Sequence, residues 1–216
     1  MTYVLHPKPH ENGGPVTLAA PSRPTAPASW HDPAQLATVV PGGAMPAALN
    51  GIAFRPWLDA PRDDAGWSTV AGEEAPFAEP DFVPAPGKRV AAGVVVEEPD
   101  GRVWIVHPSN GFGGYPATFP KGTRDPGMSL RATAIREAWE ESGLRVVLRG
   151  FLLDLDRSRS KTRYYLGRRV GGCPADMGWE SQAVSLAPRA LLGGMLLNPH
   201  DAALVDLLQA QPGSPD

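Results

Sequence analysis

Hydrophobic residues follow regular periods in the second part of the chain, from Lys88 onward. Val90 to Glu97 is an almost continuous apolar run, and Val103 to His107 is another, with the turn sequence Pro99-Asp100-Gly101 between them. Two apolar runs that flank a turn predict a buried β-hairpin. Four later segments have strand or helix patterns. The further predicted strands are Arg145 to Asp156 and Thr162 to Val170, and the predicted C-terminal helices are Leu186 to Leu192 and His200 to Gln209.

The first 87 residues have a different character. They hold 15 of the 25 prolines and 9 acidic against 4 basic residues, which favours turns, short strands and loops over long helices. Trp30, Trp57 and Trp67 argue against a disordered linker, because disordered segments are poor in aromatic residues. We expect an ordered, loop-rich region that covers the rest of the chain or a dimer interface. The predicted organisation is an N-terminal cover or dimerisation region (1–87), a folded domain (88–210) and a C-terminal tail (211–216).

One predicted helix concentrates the chemistry of the chain. Ser129 is a suitable N-cap and Gly143 a suitable C-terminal stop. Glu137, Glu140 and Glu141 share one helix face about 100° wide, because they are spaced at i, i+3 and i+4. Carboxylates this close repel each other by roughly a few tenths of a kcal/mol per pair. The face is therefore either a solvated surface or a cation site, and carboxylate oxygens are ligands that suit Mg²⁺ and Mn²⁺.

The segment from Gly122 to Leu144 resembles the signature of the Nudix hydrolase superfamily, G-x5-E-x7-R-E-U-x-E-E-x-G-U, where U is aliphatic. Met128 occupies the position of the first glutamate. The resemblance implies an α/β fold, the Nudix-type α/β/α sandwich with a mixed sheet, over roughly residues 88–209. The matching residues are Gly122, Arg136, Glu137, Ala138, Glu140, Glu141, Gly143 and Leu144.

The resemblance also implies a metal-dependent reaction. Glu137, Glu140 and Glu141 would hold Mg²⁺ (or Mn²⁺), with the backbone carbonyl of Gly122 as an additional oxygen ligand. The cation would neutralise phosphate oxygens and acidify the attacking water. Arg136 would orient a signature glutamate rather than contact the substrate.

Two positions leave alternatives open. Glu180 is the first candidate for the general base, in a loop expected after the last strand and before the C-terminal helix. Glu137 is the substitute base if Glu180 only caps or pairs locally. At the position of Met128 the family's glutamate supports the arginine from outside the metal site. Met128 is therefore expected to pack as an apolar residue where the helix begins, and Arg136 to find another acceptor.

Positive charge is concentrated after the signature. Residues 145–169 contain 8 basic and 2 acidic residues, although the whole chain has a net charge of -3. The hydroxyl groups and cations of residues 158–163 suit phosphate, but the same pattern fits a solvated strand face. The glycine-rich segment Asn110 to Tyr115 is either a turn between strands or a wall beside the substrate. The predicted substrate contacts are Arg159, Lys161, Arg163 and Tyr165, with Tyr164 or Trp179 as other residues that could stack on a base.

Composition limits the partners and the compartment. A pI near 6.0 argues against a general nucleic-acid or membrane binder. The single cysteine, Cys173, excludes an intramolecular disulfide and favours a reducing cytosol. Residues 1–10 are polar and lack the apolar core of a signal peptide. We expect a cytoplasmic homodimer that acts on a small molecule.

The predicted function is divalent-metal-dependent hydrolysis of a diphosphate linkage in a nucleoside diphosphate joined to another group, such as a sugar nucleotide or a dinucleoside polyphosphate. Inositol pyrophosphate is an alternative substrate. The alternative function is a non-catalytic Nudix-fold ligand sensor or regulatory module. Retention of the three signature acids favours the enzyme, whereas Met128 and the long N-terminal region favour the sensor.

Overall fold

A mixed β-sheet lies at the centre of the chain in the computed structural model, which describes residues 4–70, 72, 76–109 and 114–210. Short 3₁₀ helices span Pro27–His31, Pro174–Asp176, Arg189–Leu191 and Pro199–Asp201. The strands and α-helices, in chain order, are β1 (Val4–Leu5), β2 (Thr17–Leu18), β3 (Ala37–Val39), β4 (Ala48–Leu49), β5 (Ile52–Ala53), α1 (Asp64–Ser68), β6 (Arg89–Glu97), β7 (Val103–Pro108), β8 (Lys121–Thr123), α2 (Leu130–Ser142), β9 (Leu144–Asp156), β10 (Ser160–Gly172), β11 (Ser181–Ala187), α3 (Leu192–Met195) and α4 (Ala202–Ala210).

The main sheet has the strand order β3-β11-β7-β6-β10-β9, with β8 paired to β6. Strands β6 and β10 run parallel, and the other pairs are antiparallel. The parallel pair brings Tyr165 opposite Val94, and β8 places Gly122 opposite Ala92. Two small sheets, β1-β2 and β4-β5, lie in the N-terminal region.

Alternation along β6 separates two apolar cores on the two faces of the sheet. Ala92, Val94 and Val96 belong to the core that contains α2, whereas Val95 belongs to the core that contains Leu204 of α4. Helices therefore cover both faces, and the predicted α/β/α sandwich with a mixed sheet is confirmed. Among the described residues, no helix has the length and apolar character that a membrane span requires.

The N-terminal region packs on this sandwich at several points. Strand β3 extends the main sheet, with Thr38 opposite Ser185 of β11 and a hydrogen bond of 2.7 Å between the two hydroxyl groups. The rings of Trp57 and Trp67 lie 6.4 and 5.5 Å from Trp139 of α2. Part of the main apolar core is therefore formed by residues that precede the domain predicted at residues 88–210.

The predicted helix at Leu186 to Leu192 is wrong in its first part. Residues 181–187 form β11, because every residue of this run is buried between its partners β3 and β7. Helical turns begin only at Arg189. Glu180 consequently precedes the last strand instead of following it. In the predicted glycine-rich segment, residues 110–113 lie outside the described residues.

Candidate active site

Helix α2 presents the three predicted carboxylates, and local sequence fixes both of its ends. The Ser129 hydroxyl accepts a hydrogen bond of 3.0 Å from the Ala132 amide, which caps the first turn. Gly143 ends the helix with a φ of 69°. A side chain at Gly143 would also meet the Cys173 carbonyl oxygen at 2.3 Å from its Cβ. The helix boundaries predicted from these two residues are confirmed.

Strand β8 brings Gly122 against the helix. A Cβ atom at Gly122 would lie 2.2 Å from a carboxylate oxygen of Glu137, so only glycine allows this close approach. The neighbouring Lys121 amide donates a hydrogen bond of 3.0 Å to the Glu141 carboxylate. The start of β8 and the acidic face of α2 therefore form one site.

Arg136 is almost completely buried, with 8% of its surface exposed, and is surrounded by acceptors. Its guanidinium forms an ion pair with Asp125 and donates a hydrogen bond of 3.2 Å to Glu137. Its Nε lies 3.6 Å from a carboxylate oxygen of Glu140. The arginine thus contacts two of the signature acids, and its role as an orienting residue stays a prediction.

Asp125 was not predicted as a site residue. It follows β8 and accepts the Arg136 ion pair, while Met128 is 2% exposed within the core on the α2 face. Met128 packs as an apolar residue, as expected, and Arg136 pairs with Asp125, an acceptor that the sequence analysis did not name. The turn Asp125-Pro126-Gly127 is visible in the sequence, but sequence spacing alone does not show that its aspartate turns towards the helix.

Glu180 lies in a loop before β11, the Glu180 loop (residues 177–180). The Gly178 amide donates a hydrogen bond of 2.7 Å to the backbone carbonyl of Glu140. The Ser109 amide donates one of 2.7 Å to the Glu180 carbonyl. The loop is therefore fastened both to the last turn of α2 and to the end of β7, which brings Glu180 to the side of the sandwich that carries the signature acids.

The acids influence each other's protonation. Burial raises the pKa of Glu137 to about 7, with the charge of Glu140 as a further contribution and Arg136 opposing it. Burial also raises the pKa of Glu140 to about 7, again opposed by Arg136 and supported by Glu180. The pKa of Glu141 is raised well above its usual range, first by burial, while Lys121 opposes the shift. Burial and then the charge of Glu11 raise the pKa of Glu180.

This electrostatic arrangement fits a divalent cation in its donor chemistry. Buried carboxylates with raised pKa values are stabilised when a cation compensates their charge, and hard oxygen ligands suit Mg²⁺ and Mn²⁺. The ligand set is not assembled as it stands: among the described residues, no group of three or more histidine, cysteine, aspartate or glutamate side chains is arranged to hold a metal ion. Glu137 is turned to Arg136, and Glu141 to the Lys121 amide.

Most of the predicted substrate contacts already have partners within the chain. Arg163 pairs with Asp154 and with Glu79, both at 2.8 Å, and the Tyr165 hydroxyl donates to Glu79 at 2.8 Å. The Lys161 ammonium donates to the Val83 carbonyl at 3.1 Å. Arg159 is exposed. The extended segment 76–84 thus covers the basic strand surface, and a substrate role for these four residues stays a prediction.

A cavity of about 280 Å³ lies at the seam between the N-terminal region and the end of β10, and its lining contains none of the predicted site residues. Trp57, Arg55 and Arg145 line it, with the Arg145 guanidinium 5.0 Å from the Trp57 ring centroid. The predicted metal ligands therefore lie on the acidic face of α2 and not in this cavity.

Comparison with known proteins agrees with this geometry. The family model described as NUDIX domain matches residues 87–191. Residues 87–191 therefore form a Nudix domain.

Several solved structures resemble the chain over that domain. A MutT protein, studied in Aliivibrio salmonicida and Vibrio cholerae, is 20% identical, with 57% of this chain and 98% of that chain covered and a TM-score of 0.48. An ADP-ribose pyrophosphatase from Streptococcus suis is 19% identical over 59% and 96% of the two chains, with a TM-score of 0.45. A C. elegans Ap4A hydrolase is 20% identical over 55% and 92%, with a TM-score of 0.43.

Proposed function

We propose that this protein is a divalent-metal-dependent hydrolase that cleaves the diphosphate linkage of a nucleoside diphosphate joined to another group. The observation that carries the proposal is the crowded acidic face of α2, on which Glu137 is buried and Glu140 and Glu141 are partly exposed. The pKa values of Glu137, Glu140 and Glu141 are all raised on the helix face that approaches Gly122. Arg136 contacts the carboxylates of Glu137 and Glu140. A purely structural helix face gains nothing from crowding buried carboxylates.

The chain's own residues divide the work of such a reaction. Glu137, Glu140 and Glu141 would hold Mg²⁺ or Mn²⁺, with the Gly122 carbonyl as a further oxygen donor. When bound, the cation supplies charge neutralisation for phosphate oxygens and a more acidic water. Arg136 keeps the acids in place and does not need to contact the substrate.

Proton removal from the attacking water is assigned to Glu180, with Glu137 as the substitute. The raised pKa of Glu180 makes its carboxylate a better proton acceptor than an ordinary exposed glutamate. The Glu180 loop is also attached to the backbone of Glu140, so that base and metal ligands keep a fixed relation. The cytoplasmic location and the homodimer stay predictions.

The test is a screen of purified protein with ADP-ribose, UDP-glucose, diadenosine tetraphosphate and inositol pyrophosphate, each with Mg²⁺, Mn²⁺ or EDTA, read by chromatographic separation of substrate and products. Metal-dependent turnover of at least one nucleotide in the wild type, and its loss in Glu141→Gln, would support the proposal. Binding of one of these compounds without turnover in the presence of any metal would contradict the enzymatic function and favour the non-catalytic sensor. Turnover restricted to inositol pyrophosphate would correct the substrate class.

A further inference from the structure

The N-terminal hairpin, defined as residues 4–18, lies outside the part of the chain that matches the Nudix family. Its strands pair Val4 with Leu18 and Leu5 with Thr17, and the His6 amide donates a hydrogen bond of 2.8 Å to the Val16 carbonyl. Val16 is fully buried. The hairpin is thus a defined structure with an apolar attachment, and not a free tail.

The hairpin and the residues that follow it contact the chain around the Glu180 loop. The His10 ring packs against the Trp179 ring in a tilted arrangement, with 4.0 Å between ring centroids and 44° between the ring planes. The Lys8 ammonium donates a hydrogen bond to the Asp176 carbonyl. Gln182 accepts from the Ala19 amide at 2.6 Å and donates to the Ala20 carbonyl at 3.0 Å. These contacts join segments more than 160 positions apart in the chain.

Trp179 is consequently held from two sides. Its carbonyl accepts a hydrogen bond of 2.7 Å from the Ser109 hydroxyl, and its ring lies against His10. Glu180 is the next residue, so the direction of its side chain depends on how the Trp179 peptide and ring are fixed. On one side this support comes from β7 and α2, and on the other it comes from the hairpin.

The charges of the hairpin also reach the acidic site. Glu11 raises the pKa of both Glu180 and Glu140, and His10 lowers that of Glu180. Charge effects in water fall off within about 10 Å at moderate salt. The geometric link to this side of the sandwich is the contact of His10 with Trp179, the residue before Glu180.

We propose that the N-terminal hairpin is part of the active site and that His10 is a positioning residue, which acts through Trp179 to fix Glu180. This inference rests on the proposed function of Glu180. It assigns a role in the reaction to a segment that the family signature does not include.

The experiment compares His10→Ala, His10→Phe and the control His31→Ala, an exposed histidine of the N-terminal region that is not in the hairpin. We expect kcat to fall about tenfold or more in His10→Ala with KM within about twofold, because a misplaced base affects the chemical step. His10→Phe keeps the ring contact and should retain at least about half of the activity. His31→Ala should match the wild type.

A double-mutant cycle with Glu180→Gln shows whether His10 acts through Glu180. If it does, His10→Ala adds no loss in the Glu180→Gln background, because the positioned group is already gone. Losses that multiply, or unchanged kinetics in His10→Ala, would overturn the inference alone. If His10→Ala does not fold, as judged by circular dichroism, Trp179→Leu removes the same contact from the other side. A wild type without metal-dependent turnover would overturn the proposed function together with this role.

Discussion

The Arg136 guanidinium is paired with the carboxylate of Asp125, which lies 11 positions earlier in the chain. Asp125 and Arg136 come together because the turn after β8 leads directly into α2. The signature glutamate that would support the arginine is absent, and Met128 at its position is packed in the core. The chain therefore supplies the acceptor from a different residue of the same loop.

Asp125→Asn should weaken this support without removing a metal ligand. We expect turnover to fall about tenfold, equivalent to about 1.4 kcal/mol, because Arg136 becomes free to draw Glu137 and Glu140 out of position. Combining it with Met128→Glu should restore part of the loss by returning a carboxylate to the usual position. The measurements are Mg²⁺-dependent kcat and the melting temperature in EDTA.

Asp64 provides the control for that series. Its carboxylate is 4.0 Å from the same guanidinium, at the limit of an ion pair, and its side chain is 77% exposed. Screening by water leaves such a pair with little energy. Asp64→Asn should therefore behave as the wild type. If Asp125→Asn also behaves as the wild type, Asp125 does not support Arg136.

Glu140→Gln and Glu141→Gln should each lower the activity and raise the stability of the metal-free protein. Turnover should fall on the order of 10²- to 10⁴-fold, because several kcal/mol of metal-mediated charge stabilisation are lost. The melting temperature in EDTA should rise, because one charge leaves a crowded buried face. Near-normal activity in both variants would contradict the catalytic assignment.

The metal-free protein should lose stability as the pH rises through the acidic range. The pKa values of Glu137 and Glu140 are raised from 4.5 to about 7 in the folded state, so the folded state binds more protons than the unfolded state in that window. Stability is then greatest below pH 4.5 as far as these groups are concerned, and it declines up to about pH 7.

Denaturant titrations at several pH values, with EDTA or with Mg²⁺, measure this dependence. A bound cation favours the ionised carboxylates, so Mg²⁺ should flatten the decline. The Glu140→Gln variant should show a smaller decline in EDTA than the wild type does. A curve in EDTA that rises between these pH values would show that the acids are not buried together.

Gly178→Ala should disturb the connection between the Glu180 loop and α2. A Cβ atom at this position would lie 2.3 Å from the Glu140 carbonyl oxygen, which is backbone and cannot turn aside. We expect a loss of stability of about 1 to 3 kcal/mol and a lower kcat. Gly194→Ala is the matched control, because a Cβ atom there meets nothing within 4 Å. Thermal melts and initial rates of both variants provide the comparison.

Glu79→Gln should lower stability more than it changes substrate affinity. Glu79 accepts from Arg131 at 2.7 Å and from Arg163 and Tyr165 at 2.8 Å, and hydrogen bonds to charged groups contribute about 1.5 to 3 kcal/mol each. Asp81→Asn, an exposed position on the same segment, should have no such effect. A large rise in KM with an unchanged melting temperature would instead support Arg163 as a substrate contact.

The sequence was sufficient for the parts of the fold that local chemistry determines. Ser129 and Gly143 predicted the ends of α2, and unbroken apolar runs predicted β6 and β7. The strand at residues 181–187 was missed, because a buried strand of this length has the same apolar content as a helix. The contacts of Glu79 and His10 were also missed, since each joins segments that are distant in sequence and no period encodes such a pairing. The contact of Asp125 is local, but spacing alone does not show which way its side chain turns.

Strand β3 extends the cooperatively folding part of the chain beyond the residues that match the family model. The family match begins at residue 87, yet the ladder of the main sheet continues into residues 37–39. Opening the N-terminal region separately would uncover the backbone groups of β11 and remove the contacts of Trp57 and Trp67 with α2. The family domain and the N-terminal region should therefore unfold in one transition, and a fragment cut at residue 87 would expose β11 as an unpaired edge strand able to pair with another copy.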